Sequence, residues 1–218
     1  MPPSIFYLHG LGSFPNGQKA SDLRERFAVR GLELRVPDLN VPDFEHLSMT
    51  AMLARIAAEV RACPPGPVYL IGSSLGGSAA LHFTDRYRGA EGARVERLLL
   101  LAPAFDFQAN RMRQLGDEGL RRWREQGWLP FFHFGLEREC RLHYGLYEDM
   151  LGYDSYAVTL DLPIRIIHGT RDVNVDAEQS VRFAHNRPNV DLRLVDSDHS
   201  LFDQIDAIWE TTLDFFGV

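Results

Sequence analysis

Cysteine is nearly missing from this chain: Cys63 and Cys140 are the only two in 218 residues. Two thiols so far apart make no disulfide framework, and neither has the spacing of a metal site. The expectation is a protein of a reducing, cytoplasmic compartment, with no structural metal and no resident cofactor. Long hydrophobic runs are missing as well. No stretch approaches the roughly 20 apolar residues that cross a bilayer, and Met1-Pro2-Pro3-Ser4-Ile5 sets no basic region ahead of an apolar core, which speaks against a secretory signal. Positive charge is in deficit: 23 Lys and Arg face 30 Asp and Glu, a formal net charge of -7. That balance disfavours nucleic acid and anionic membranes as partners and says little about a small-molecule substrate. Repeats and low-complexity tracts are absent. What remains is ordinary globular composition, 45% hydrophobic and 24% charged, at a length that suits one domain with room for an insertion.

The chain is organised around Tyr69-Leu70-Ile71-Gly72-Ser73-Ser74-Leu75-Gly76-Gly77. A strand-forming run passes through small residues into helix formers, and Gly72 to Gly76 fits G-x-S-x-G. Such a turn lifts the Ser74 hydroxyl out of a sheet and aims the Leu75 N–H at the same point, at a helix N-terminus where negative charge is favoured. Gly72 and Gly76 supply the missing side chains that let strand and helix approach.

Around this turn, strands and helices alternate. Ile5-Phe6-Tyr7-Leu8 reads as a buried strand leading into the Gly-rich loop His9-Gly10-Leu11-Gly12-Ser13, and a helix is expected over about Gln18 to Val29. Leu32 to Val36 alternates as an edge strand. Ser48 caps a helix carrying Met49, Met52, Leu53, Ile56 and Val60 at helical spacing. Val95 to Leu101 is the apolar run of a central parallel strand. Pro163 to His168 and Val190 to Val195 are further strands, with a helix over about Ala177 to His185 between them. Ser200 to Phe216 closes the chain as an amphipathic helix. From Phe105 to Leu160 the style changes to arginines and aromatics, broken by Gly116, Gly127 and Pro130 into what reads as short helices. A connection that long is expected to be a cap inserted at about 105–160 into a single domain of residues 1–218. The alternation implies a doubly wound, mostly parallel sheet of about six strands, with ligand bound beyond the strands' carboxyl ends.

Ser74, Asp172 and His199 each follow an expected strand, in the order Ser, Asp, His. That order, with His9-Gly10-Leu11-Gly12, Gly72 to Gly77, His168-Gly169-Thr170-Arg171-Asp172 and Asp198-His199-Ser200, resembles the α/β-hydrolase superfamily along essentially the whole chain. Within it the chain is similar to small bacterial esterases and to mitochondrial relatives that cleave acyl glucuronides and S-acyl thioesters. The resemblance implies Ser74 as nucleophile, His199 as base, Asp172 as the group that orients His199, and the backbone N–H groups of Leu11 and Leu75 as an oxyanion hole. The implied reaction is cleavage of a carboxylic ester or thioester through an acyl-serine. Carbon–carbon bond hydrolysis, perhydrolysis, and a hydrolase-like binding protein without turnover stay open beside it. Two departures stand out. The first strand begins at Ile5, without the two N-terminal strands of larger members, and the residues around Asn174 depart from the Val-Pro pair frequent after the acid. Asp196 and Asp198 rival Asp172 by position, Asp176 is expected to cap the following helix, and His9 is expected to fix a loop. The cap aromatics are expected to line a pocket or to form the cap's own core, and the cap arginines to be mostly solvated, with one or two of them open as binders of a substrate carboxylate such as a glucuronide's.

Overall fold

The computed structural model describes all 218 residues. The first half of the chain runs β1 (Ser4–Leu8), α1 (Gln18–Val29), β2 (Leu34–Arg35), α2 (Met49–Ala62), β3 (Val68–Ser73), α3 (Leu75–Arg86) and β4 (Val95–Leu101). It continues with α4 (Phe107–Gln126), β5 (Trp128–His133), β6 (Arg138–His143), α5 (Gly145–Met150), β7 (Ile164–Gly169), α6 (Glu178–Ala184), β8 (Val190–Val195) and α7 (Ile205–Phe216). Six strands form one sheet in the order β2-β1-β3-β4-β7-β8, and every neighbouring pair is parallel.

Parallel strands are buried on both faces, which is why these runs carry so little alternation. Ile5 and Tyr7 of β1 face a core shared with α1 and α7, whereas Phe6 and Leu8 face a larger core shared with α2, α3 and the segment after β4. In β4, Leu99 and Leu101 point one way and Leu98 and Leu100 the other. α2 starts where its cap predicts, with the Ser48 hydroxyl accepting the Ala51 N–H at 3.1 Å. No helix is long and apolar enough to cross a membrane.

Two elements differ from the sequence reading. Of the strand expected over Leu32 to Val36, only Leu34 and Arg35 pair with β1, at the sheet edge. The segment between β4 and β7 is only partly helical. Gly116, at φ 63° and ψ 176°, kinks α4 without ending it; Gly127, in the left-handed conformation at φ 76°, does end it. An antiparallel hairpin follows, with Trp128 opposite His143 and His133 opposite Arg138. Pro130 is tolerated because a two-stranded ribbon is all edge. Trp123 fastens the segment to the core: it is 1% exposed, donates its indole N–H to the Leu142 carbonyl at 3.0 Å, and packs edge-on against Tyr144 and Tyr147.

The strand order decides where a site can form. β1 lies between β2 and β3, so the connections leaving β1 and β3 run to opposite sides, and a crevice opens beyond their carboxyl ends. The Gly-rich loop follows β1 and Ser74 follows β3, so the topology alone brings them together.

Candidate active site

Ser74 joins β3 to α3 with φ 54° and ψ -120°. A side chain in this region of backbone space costs about 1–3 kcal/mol, so the surroundings must enforce it. They do so through the backbone. The Ser74 N–H donates to the Leu101 carbonyl at 2.9 Å, and its own carbonyl accepts the N–H groups of Gly77 at 2.9 Å and Ala104 at 3.1 Å. The two motif glycines serve different neighbours. A β-carbon at Gly72 would stand 2.6 Å from the Gly76 carbonyl oxygen, so Gly72 admits the helix to its own strand. A β-carbon at Gly76 would stand 2.1 Å from the Leu8 carbonyl oxygen and 2.6 Å from that of His9, so Gly76 seats α3 on β1.

His199 reaches Ser74 from the loop after β8. Its Nε2 lies 3.0 Å from Ser74 Oγ, and its Nδ1 lies 2.6 Å from Asp172 Oδ2. The carboxylate can only accept, so Nδ1 carries the hydrogen and Nε2 offers its lone pair to the serine hydroxyl. Asp172 follows β7, and its side chain is sealed from solvent. Its Oδ1 accepts the N–H groups of Asn174 and Val175, each at 2.8 Å, and its Oδ2 accepts from His199 and from His168 Nε2 at 3.2 Å. Burial alone would raise this carboxyl. The bonds from His168 and His199, the charge of His199 and the Val175 N–H outweigh burial and hold it well below the ordinary carboxylate range. Asp172 therefore stays ionised at neutral pH, as an orienting group must.

His168 was legible only as a strand-end histidine. It is fully buried behind Asp172, with Nδ1 2.7 Å from the Ser180 hydroxyl and Nε2 3.1 Å from the Val175 carbonyl. Both acceptors at Nε2 lack hydrogens, so Nε2–H points at the carboxylate and holds it in place. The rival aspartates are engaged elsewhere. Asp196 pairs with Arg171 at 2.6 Å, Asp198 accepts from the Ser200 N–H and hydroxyl, and Asp176 accepts the Glu178 N–H at the start of α6. His9 is buried and ties two loops together, taking the Leu39 N–H on Nε2 at 3.0 Å, with Nδ1 3.1 Å from the Gly10 carbonyl.

Leu75 is the first residue of α3, so its N–H has no acceptor within the helix. The Leu11 N–H, in the turn after β1, donates to no backbone carbonyl. Two cavities meet at this point. Leu11, Ser74, Phe134, Asn174 and His199 line both, one of about 280 Å³ and one of about 490 Å³. The aromatics between β4 and β7 divide their duties. Trp123, Tyr144 and Tyr147 pack on one another, whereas Phe131, Phe132 and Phe134 of the hairpin wall the smaller cavity.

Lys19 lines the larger cavity and was missed in the sequence, although it left a trace there. It is a cation in the first turn of α1, against the helix dipole. Its Nζ donates to Ser73 Oγ at 3.0 Å. Burial pulls it down to about 8, against the opposing pull of Asp198 and Asp172. Between pH ~8 and ~10.5 the folded chain has shed this proton while the unfolded chain still holds it, so stability rises across that window. Urea titrations should show the wild type gaining ~1–3 kcal/mol on Lys19→Met between about pH 7 and pH 10. A pH-independent difference would show that the ammonium is not penalised by folding.

Comparison with known proteins places this geometry in context. The model of UPF0227, described as an uncharacterised protein family, matches residues 4–217. Curated proteins give no sequence match. Among solved structures, a protein of Agrobacterium vitis S4 provisionally titled a hydrolase is 23% identical at TM-score 0.84, over 99% of this chain and 88% of that one. Mouse alpha/beta hydrolase domain-containing protein 10 is 22% identical at TM-score 0.81, over 100% and 90%. Est1E of Butyrivibrio proteoclasticus is 19% identical at TM-score 0.76, over 100% and 89%. At these identities the likeness concerns the fold.

Proposed function

The chain belongs to the UPF0227 family and has the α/β-hydrolase fold, and from that premise we propose that it is a serine hydrolase cleaving a carboxylic ester or thioester through an acyl-Ser74 intermediate. The observation that carries this reading is the continuous line from Ser74 Oγ through His199 to Asp172, with steps of 3.0 Å and 2.6 Å. Unaided, a serine hydroxyl is too weak an acid to attack at neutral pH. As Oγ bonds to the acyl carbon, its proton passes to His199 Nε2. The ionised Asp172 stabilises the resulting imidazolium. The oxyanion is met by the N–H groups of Leu11 and Leu75, each such donor lowering the barrier by roughly 3 kcal/mol. Collapse expels the alcohol or thiol, which takes the proton from Nε2. Water then repeats the sequence on the acyl-serine, returning Ser74 and releasing the acid. The segment from about 105 to 160 acts as a cap whose hairpin walls the crevice.

A fluorophosphonate should label the intact protein once, at Ser74 by peptide mass spectrometry, alongside turnover of short p-nitrophenyl esters or acyl thioesters. Labelling at another residue, or none in folded protein, would remove the proposal's foundation.

A further inference from the structure

The smaller cavity beside Ser74 contains a charge with no partner. Arg111 projects from α4 into the wall that Ser74, Leu75 and Phe131 also line. Its neighbours along the helix are matched at the surface: Arg113 by Asp176, and Arg121 by Glu118 and Glu125. Arg111 has none of this. Its Nε is buried without a hydrogen-bond partner. Burial is the only influence on its ionisation, pulling it to about 10, and no carboxylate counters that. Its guanidinium stands over the Phe107 ring, 5.2 Å from the centroid. Asn110, beside it and 2% exposed, repeats the pattern: Oδ1 is taken by Gln179 at 2.6 Å, and Nδ2 has no partner.

Arg111 is half-buried, so water reaches part of its fork, but its buried Nε lacks an acceptor, and such a donor costs stability that a neighbouring carboxylate would restore. With 30 acidic residues in the chain, none is placed here. A fold that keeps such a charge in the wall of a reactive cavity has the partner arrive with the substrate. The remaining walls, Leu75, Ala104 and Phe131 among them, are apolar and suit a short methylene chain. The cavity measures about 280 Å³.

We propose that Arg111 binds a carboxylate carried by the substrate, so that the ester opened at Ser74 is the half-ester of a dicarboxylic acid or the ester of a hydroxy acid. This rests on the hydrolase reading above. The planar guanidinium presents a fork that matches a carboxylate, and the orphaned donors and apolar walls leave the rest of the limb uncharged.

Matched pairs of esters test it. On the acyl side, p-nitrophenyl hydrogen glutarate is compared with p-nitrophenyl pentanoate. On the alcohol side, the butyrate of hydroxypropanoic acid is compared with propyl butyrate, followed by proton release. The wild type should favour the charged member of one pair by about 10- to 100-fold in kcat/KM, and that pair identifies the limb. Arg111→Met should erase the preference while Ser74 still labels with fluorophosphonate, and Arg111→Lys should retain part of it. Equal rates within both pairs in a protein that labels at Ser74, or a preference that survives Arg111→Met, would overturn the carboxylate site alone. Absence of labelling in the wild type would overturn the hydrolase reading and this inference with it.

Discussion

Replacing Ser74 by alanine is expected to lower kcat/KM on any ester the wild type cleaves by on the order of a hundred thousand- to a million-fold, with the fold intact. The separation of activity from stability follows from how the turn is held. Every bond that fixes Ser74 in its strained conformation is made by its backbone N–H and carbonyl. The hydroxyl contributes only its contact with His199, 3.0 Å away. Alanine keeps the backbone bonds and the β-carbon, so circular dichroism and the urea midpoint should stay close to wild type. Ser74→Gly should be equally inactive yet more stable than Ser74→Ala by about 1 kcal/mol, because glycine relaxes the penalty at φ 54°. Ester turnover persisting at even a tenth of the wild-type rate in purified Ser74→Ala would mean that the nucleophile lies elsewhere.

The reverse separation is expected at Gly76, where alanine should attack the fold itself. The added carbon would lie 2.1 Å from the Leu8 carbonyl oxygen and 2.6 Å from that of His9. Both are backbone atoms of the buried first strand and its exit, so neither can swing aside as a side chain would. Relief requires lifting α3 off β1, and α3 is buried over ten consecutive residues, Leu75 to Thr84. A loss of ~3–5 kcal/mol is expected, a large part of the ~5–15 kcal/mol that stabilises a domain of ordinary size. The same shift moves the Leu75 N–H away from Leu11, so the fraction that still folds should react sluggishly with fluorophosphonate. A urea midpoint unchanged in Gly76→Ala would show that the helix sits further from the strand than described.

Much of this architecture could be read from the chain because burial on both faces leaves a plain mark. Ile5 to Leu8 and Leu98 to Leu101 are apolar without alternation, and both lie in sheet strands with cores on either side. The grouping of Ser74, Asp172 and His199 followed from motif order, since each stands directly after a strand and a parallel sheet gathers such ends. The hairpin was not legible. Trp128-Leu129-Pro130-Phe131-Phe132-His133 has neither alternation nor helical spacing, because its residues pack against both the segment's own aromatics and the cavities. The difference between Arg111 and Arg113 is invisible for another reason. Both are arginines on the same side of the bend at Gly116, and only the different faces of α4 they occupy and the three-dimensional position of Asp176 leave one paired and the other alone. Lys19 differs again: its conflict with the helix dipole was present in the letters, and a helix-by-helix reading of charge would have found it.

On the proposed reading the reacting groups are contributed after β1, β3, β7 and β8, so the first and last of them stand 188 positions apart, from Leu11 to His199. On a ribosome, the strand that leads to the base emerges when nearly all the rest has been made. An exposed serine activated before that moment would be a hazard to a half-built chain, and on the proposed reading its activation has to await His199. Recovery of fluorophosphonate reactivity during refolding is therefore expected to require β8 in place beside β7.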